Sequence, residues 1–234
     1  MEKKLAILQS NYIPWKGYFD LIHMVDEFIL YDDRQYTKND WRNRNLIKTS
    51  DGLKWLTIPV LRKGNFDQKI CETKIGNPSW TVKHWKTLKS SYAKAIYFRE
   101  YAKLFEQIYF ECAEEEYLSI INLKFMVLIC KVLGIKTQIN FSTDYQVYAT
   151  DKTQRLVNLC KAANATHYIS GPAAKSYLDE RLFIVEGITV SYMDYSCYKE
   201  YPQLHGGFEH GVSILDLIFN TGPNAITYMG SFLL

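Results

Sequence analysis

What most restricts the fold of this chain is the order of events in its opening residues. An apolar run, a proline turn, a helical periodicity and a second apolar run follow one another without a break. Lys4 to Gln9 reads as a buried strand. Asn11 to Trp15 reads as a turn, because Pro14 biases the residue before it away from helix. Over Lys16 to Val25 the side chains Tyr18, Phe19, Ile22 and Val25 recur on one helical face. Phe28 to Tyr31 is apolar again and runs into Asp32-Asp33. Strand, crossover helix and strand within roughly thirty residues make a βαβ unit, which demands parallel pairing and a right-handed connection. The chain is therefore expected to be α/β.

The rest fits that class. Arg34 to Asn45 is polar and cationic, and short strands are expected near Asn45–Thr49, Leu53–Val60 and Lys69–Lys74, with Asp51-Gly52 as a hairpin turn. Amphipathic patterns predict helices over Trp80–Tyr92, Arg99–Glu111 and Glu114–Leu133, the last closed by Gly134. Strands follow at Ile135–Phe141, Thr166–Ser170 and Ile188–Met193, with helices at Thr153–Asn164 and Val212–Asn220 and a helical turn at Ala173–Tyr177. The expected whole is a Rossmann-like parallel sheet with a small antiparallel excursion, in one domain spanning 1–234 with a mainly helical insertion at about 78–134. Periodicity leaves the strand order open.

Composition removes several function classes. The 234 residues are 47% hydrophobic and 23% charged, enough apolar surface for a sizeable core and too little charge for disorder. A net charge of +3, with no basic tail, argues against a nucleic-acid partner. No apolar signal core precedes the first strand, and no apolar run approaches the roughly 18 residues of a membrane span, so a cytoplasmic protein is expected. Cys71, Cys112, Cys130, Cys160 and Cys197 are scattered, with no C-x-x-C and no histidine at ligand spacing. Reduced thiols and no metal are expected.

Four polar stretches leave apolar strands and are candidate site elements. The first is Gln9-Ser-Asn-Tyr-Ile-Pro-Trp-Lys-Gly-Tyr18, where a strand tip meets a helix start, the edge at which open α/β sheets bind ligands. Gln9 and Asn11 suit a carbonyl or sugar hydroxyl, Tyr12, Trp15 and Tyr18 supply rings, and Gly17 admits close backbone approach. The second runs from Asp32 and Asp33 through Tyr36, Lys38, Trp41, Arg42, Asn43 and Arg44. Its cations suit a diphosphate, arginine through its bidentate fork. The third is Ser170-Gly-Pro-Ala-Ala-Lys175, a strand–glycine–helix turn without P-loop spacing. The fourth, Tyr198 to His210, carries Tyr201, Gln203 and His205 into a helix with Ser213 as N-cap and Asp216 in its first turn. His84, between Trp80 and Trp85, is the candidate general base, and Asp32 and Asp33 complete the catalytic set. The competing reading of each stretch is an ordinary capped turn or solvated loop.

Taken in order, Gln9 to Phe19, Asp26, Asp32-Asp33, Lys38, Trp41 to Arg44, Leu56-Thr-Ile-Pro59, Trp80 with His84, Tyr168 to Pro172, Tyr177-Leu178, Tyr201-Pro-Gln203 and Ser213 to Asn220 resemble the WbqC-like family. The resemblance covers nearly the whole chain. It departs at Ser10, where the family usually has proline, and at Tyr195-Ser-Cys-Tyr198, where the family often has a histidine and a proline. Such proteins are similar to those encoded among genes for O-antigen and other surface polysaccharides. The resemblance thus implies a sugar-modifying enzyme of that pathway, an N-acyltransferase or aminoacyltransferase forming an amide on a thymidine- or uridine-diphosphate-linked amino sugar. The opening βαβ unit also resembles that of HIGH-type nucleotidyltransferases and pantothenate-synthetase-like ligases, with Tyr18 where their histidine stands. An ATP-activated carboxylate or a thioester of coenzyme A or of an acyl carrier protein would be the donor. A non-catalytic nucleotide-sugar-binding or assembly protein is the main alternative, a glycosyltransferase a lesser one, and a homodimer stays open.

Overall fold

The computed structural model describes residues 2–232. The opening unit is β1 (Lys4–Leu8), α1 (Lys16–His23) and β2 (Glu27–Leu30), with β1 and β2 parallel from Leu5 opposite Glu27 to Leu8 opposite Leu30. Three later strands join them: β5 (Gln138–Phe141), β6 (His167–Ser170) and β7 (Thr189–Tyr192). The order across the sheet is β5-β2-β1-β6-β7, every pair parallel. Alternate strand residues enter two cores. Leu5, Ile7 and Ile29 pack on one face with Val157, Leu159 and Phe183, while Ala6, Phe28 and Leu30 pack on the other with Phe19, Phe125 and Leu217. Strands buried on both faces carry apolar residues at successive positions, which is why β1 and β2 read as continuous runs.

The antiparallel excursion is a separate hairpin of β3 (Arg44–Thr49) and β4 (Gly52–Thr57), with Gly52 at φ 105° in the turn. A third strand over Lys69–Lys74, expected from the sequence, does not form. Ile70–Glu72 is instead a single 3-10 turn. The amides of Ile70 and Cys71 donate to Arg34 O and Asp32 O, and Lys69 N donates to Glu72 Oε2, so the backbone is engaged before it can pair with β4. Helices α2 (Trp80–Tyr92), α3 (Phe98–Glu111) and α4 (Leu118–Leu133) lie between hairpin and β5. Gly134 ends α4 in the left-handed region at φ 74°, where a side chain would be strained. On the opposite face are α5 (Lys152–Ala162) and α6 (Glu180–Val185), and α7 (Ile214–Thr221) closes the first core. Sequence periodicity misses α6, because Ile184 and Val185 stand exposed and blur its apolar stripe. Among the described residues no helix is long and apolar enough to cross a membrane.

The sheet order has one functional consequence. Strands run outward from β1 in one direction and then from β6 in the other, so the order reverses between these two. In open parallel sheets this reversal leaves a crevice beyond the carboxyl tips, where ligands settle. The residues following β1 and β6 flank it.

One buried acid ties the start of the molecule to its far end. Asp20, in the middle of α1 and 1% exposed, accepts hydrogen bonds from Tyr198 Oη at 2.5 Å, Gly230 N at 3.0 Å, and Ser231 N at 2.8 Å, with Ser231 Oγ as a further donor. His23, one turn on, stacks on Phe232 with ring centres 3.7 Å apart. Replacing Asp20 by alanine strands these donors in a dry site. We expect Asp20→Ala to lower unfolding free energy by about 3 kcal/mol, seen as a fall in the urea midpoint at unchanged slope. A shift within error would mean that the acid is not what anchors the chain's last turns.

Candidate functional site

The turn beyond β1 is held from three sides. Ser10 N donates to Asp32 Oδ1 at 2.7 Å, and Ser119 Oγ on α4 donates to the other Asp32 oxygen. Asn122, one turn further along α4, donates to Ser10 Oγ and to Arg42 O, both at 2.9 Å. Burial pushes the Asp32 carboxyl upward, and the Ser10 amide and Ser119 hydroxyl pull it back. Next in the turn, Tyr12 N donates to Trp41 O at 3.0 Å, and Asn45 Nδ2 on β3 donates to both Tyr12 O and Ile13 O at 3.0 Å. Ile13 is held at φ 38°, a left-handed conformation that a β-branched residue takes only at a cost of about 1–3 kcal/mol. Pro14 O accepts from Ile214 N at 2.9 Å, which fixes the entry to α7 against the same turn.

These constraints shape a cleft of about 300 Å³ lined by Asn11, Pro14, Trp15, Trp41, Asn45, His210 and Gly211. Trp15 is braced by Tyr195 and Tyr198, with ring centres at 4.9 and 5.8 Å. Its indole covers Gly17 so closely that a Cβ there would overlap the ring. Arg42 donates to Asn11 Oδ1 and lies 3.7 Å from Asp40, so it orients the amide from behind. At the rim Trp41 packs on Trp55 at 5.3 Å, and the Arg44 guanidinium lies 4.1 Å over the Trp55 ring while donating to Asn39 O. The result is an aromatic, amide-lined hollow with one titratable side chain, His210, among its lining residues.

Of the residues singled out from the sequence, Asn11, Trp15 and Trp41 line this cleft, with Arg42 directly behind and Arg44 at its rim. Gln9 and Tyr18 lie outside the lining set, where the Gln9 carbonyl accepts from the buried Tyr18 Oη at 2.9 Å. Asn43 turns inward to Ile58 O, and Lys38 is exposed on the loop. Tyr201 is buried, and Gln203 bridges Asp216 Oδ1 and Glu209 O at 2.9 Å while accepting from Lys48 Nζ. His205 contacts Ser91 O at 2.8 Å. These three support the loop that brings His210 to the cleft. Ser170 is buried at the tip of β6, and exposed Lys175 lies 5.1 Å over the Tyr192 ring, both outside the lining set. Asp32 and Asp33 diverge, the second turning to Arg155 and Ser142. Asn45, Gly211 and Trp55 escaped sequence reasoning, and His210 entered only as the last residue of the fourth stretch, with no role given to it. Asn45 carried one signal, an amide set directly before the apolar pair Leu46-Ile47 of a strand.

His84 faces inward. It is 6% exposed, with Nδ1 2.9 Å from Tyr12 Oη and Nε2 3.2 Å from Thr57 O, and Tyr12 Oη is 2.5 Å from Tyr109 Oη. Burial lowers its pKa to about 4. Its role in this geometry is to set the floor on which Tyr12, and with it the turn, rests.

Comparison with known proteins places this geometry in context. A family model described as the WbqC-like protein family matches residues 9–228. The uncharacterized protein Rv1507c of Mycobacterium tuberculosis is 54% identical over 227 residues, covering 97% of each chain. No solved structure gives a significant match.

The buried imidazole gives a stability test. The unfolded chain takes up its proton near pH 6.5, the folded chain only near pH 4. Unfolding therefore binds a proton between these limits, and stability falls as pH drops through them. The loss is on the order of 3 kcal/mol once pH reaches the folded value. His84→Gln, which keeps hydrogen-bonding capacity without titrating, should flatten this part of the stability–pH curve. An unchanged slope in the variant would remove His84 as its origin.

Proposed function

We propose a function on one premise: the chain belongs to the WbqC-like protein family. Our reading is that it forms an amide on the amine of a nucleotide-linked amino sugar during synthesis of a surface polysaccharide such as O-antigen. The observation that carries this reading is the pairing of Trp15 and Trp41 with the Asn11 amide around one hollow, on a wall that Asn45 holds in place. Flat rings take the apolar face of a pyranose or a base, and the Asn11 amide, its oxygen already fixed by Arg42, turns its N–H donors to a hydroxyl. A hollow of about 300 Å³ lies at the small end of the range for small-molecule sites.

In the amide-forming step the amine lone pair attacks the acyl carbonyl of a thioester. The C–N bond forms, the C–S bond breaks, and the sulfur leaves as thiolate. The amine proton passes to the imidazole of His210, and then to the departing sulfur. Arg42 fixes the Asn11 amide, so substrate meets a preset hydrogen-bonding partner rather than a mobile one. A thioester of coenzyme A or of a carrier protein supplies the acyl group in this scheme; an ATP-activated carboxylate would release AMP from the same position. A second reading rests on the presence of only one titratable side chain in the lining. It makes the hollow a non-catalytic receptor for the same nucleotide-sugar.

The two readings part in one experiment. Purified protein, a panel of uridine- and thymidine-diphosphate amino sugars, and each donor class should yield a sugar nucleotide heavier by the acyl group. His210→Ala should reduce kcat by about 10²–10⁴-fold with KM nearly unchanged. Trp41→Ala should act mainly on KM, by about tenfold. Ligand-induced stabilisation without product for any donor would favour the receptor. Neither stabilisation nor product would sink both.

A further inference from the structure

A second group of functional side chains lies beyond the tips of β2 and β5, on the side of the sheet away from the tryptophan cleft. Arg155, in the opening of α5, is 9% exposed and paired with Asp33. Ser142, following β5, donates to Asp33 Oδ1 at 2.8 Å. With a guanidinium on one oxygen and a hydroxyl on the other, the carboxylate is served. A structural clamp between α5 and the sheet requires nothing more.

Yet a second guanidinium is present. Arg34 Nε lies 4.0 Å from Asp33 Oδ1, too far for a hydrogen bond, and both arginines lie over the same ring, with their Cζ atoms 4.5 and 5.7 Å from the centre of Tyr31. Among the described residues Arg34 Nε, Arg34 Nη2 and Arg155 Nε are buried without an acceptor; Arg42 and Arg44 share this state at one nitrogen each, but they are not paired over one ring. Two permanent cations therefore share one carboxylate, and three charged N–H donors go unanswered in a place where each costs desolvation energy. Stacking on Tyr31 offsets part of this cost through cation–π attraction, but it answers none of the three N–H donors. A doubly charged oxyanion would satisfy all three donors, and paired guanidinium forks match phosphate geometry. The cluster lies at the carboxyl edge of the sheet, beyond β2 and β5 and away from the β1–β6 reversal.

We infer that Arg34 and Arg155, with Tyr31 beneath them, form a phosphate-binding site distinct from the tryptophan cleft. Its ligand is a phosphate ester or diphosphate. The inference deepens the proposed function, on which it rests only for the source of the phosphate: the nucleotide of the sugar acceptor, or coenzyme A as donor. Asp32 and Asp33 partition the two sites. The first acid serves the Ser10 turn of the cleft, and the second balances part of the charge at the arginines.

The probe is inorganic pyrophosphate, followed by calorimetry and by thermal melting of the full chain. Unaltered protein should bind it and melt at a higher temperature in its presence. Arg34→Ala, which leaves the Arg155–Asp33 clamp in place, should weaken binding at least about tenfold without lowering the melting temperature of the free protein. Asp33→Asn should tighten binding. Arg42→Ala should leave it unchanged. Displacement of pyrophosphate by coenzyme A alone would assign the site to the donor, and displacement by a nucleoside diphosphate alone to the acceptor. No binding at millimolar pyrophosphate, equal binding by Arg34→Ala, or loss of binding only in Arg42→Ala would each overturn the inference. None of these outcomes depends on amide formation, so the catalytic proposal and the phosphate site can fail separately.

Discussion

The candidate site depends on a carboxylate that no ligand would touch. Asp32, at 1% exposure beyond the tip of β2, accepts the Ser10 amide and the Ser119 hydroxyl, and through them joins β1, β2 and α4 at one point. Taking a carboxylate out of water costs several kcal/mol unless its lone pairs are answered. Here burial and hydrogen bonding pull its acidity in opposite directions. The balance has a geometric effect. Ser10 is held, Asn122 is drawn to Ser10 Oγ and Arg42 O, and Arg42 reaches Asn11. A chain of short polar contacts therefore runs from the middle of the protein to the amide that faces the cleft.

The same linkage explains how the turn tolerates Ile13 at φ 38°. A left-handed β-branched residue persists only where its surroundings overdetermine it. Asn45 donates to the carbonyls on both sides of the Ile13 Cα, Trp41 O accepts from the Tyr12 amide, and the Ile13 side chain is fully buried. Strain of this kind is concentrated where a loop must present side chains in a set direction. In this chain it immediately precedes Pro14 and Trp15, two of the residues that line the cleft.

Much of the fold was legible because its strongest signals are local. The Trp80–Tyr92 helix, the Gly134 cap and the opening βαβ unit follow from period, cap residue and chain length alone. The failures share a cause, which is competition from distant partners. Residues 69–74 have strand-like character, yet the carbonyls of Asp32 and Arg34 capture their amides first. The site is less legible for a related reason. Periodicity marks Asp20 only as a position on α1, and nothing local says that Tyr198, Gly230 and Ser231 will converge on it. Asn45 and His210 meet Asn11 only after the hairpin and the late loop have packed against the β1 turn. His84 shows the reverse case: a residue type suited to catalysis, spent on supporting Tyr12.

Where the cations are engaged bears on what the cleft selects. Arg42 is occupied by Asn11 and Asp40, and Arg44 by Asn39 and the Trp55 face, so both act on the cleft by positioning its walls. A hollow walled by indoles and amides discriminates by shape and hydroxyl pattern, which suits a sugar ring. A diphosphate requires charged donors that still lack partners. Among the described residues Arg34 has two such donors and Arg155 one, whereas Arg42 and Arg44 each leave a single Nε and commit other nitrogens to Asn11 and Asn39. In our reading recognition of ring and of phosphate is thus divided across the tip of β2, where two adjacent aspartates face apart, Asp32 to the Ser10 turn and Asp33 to Arg155.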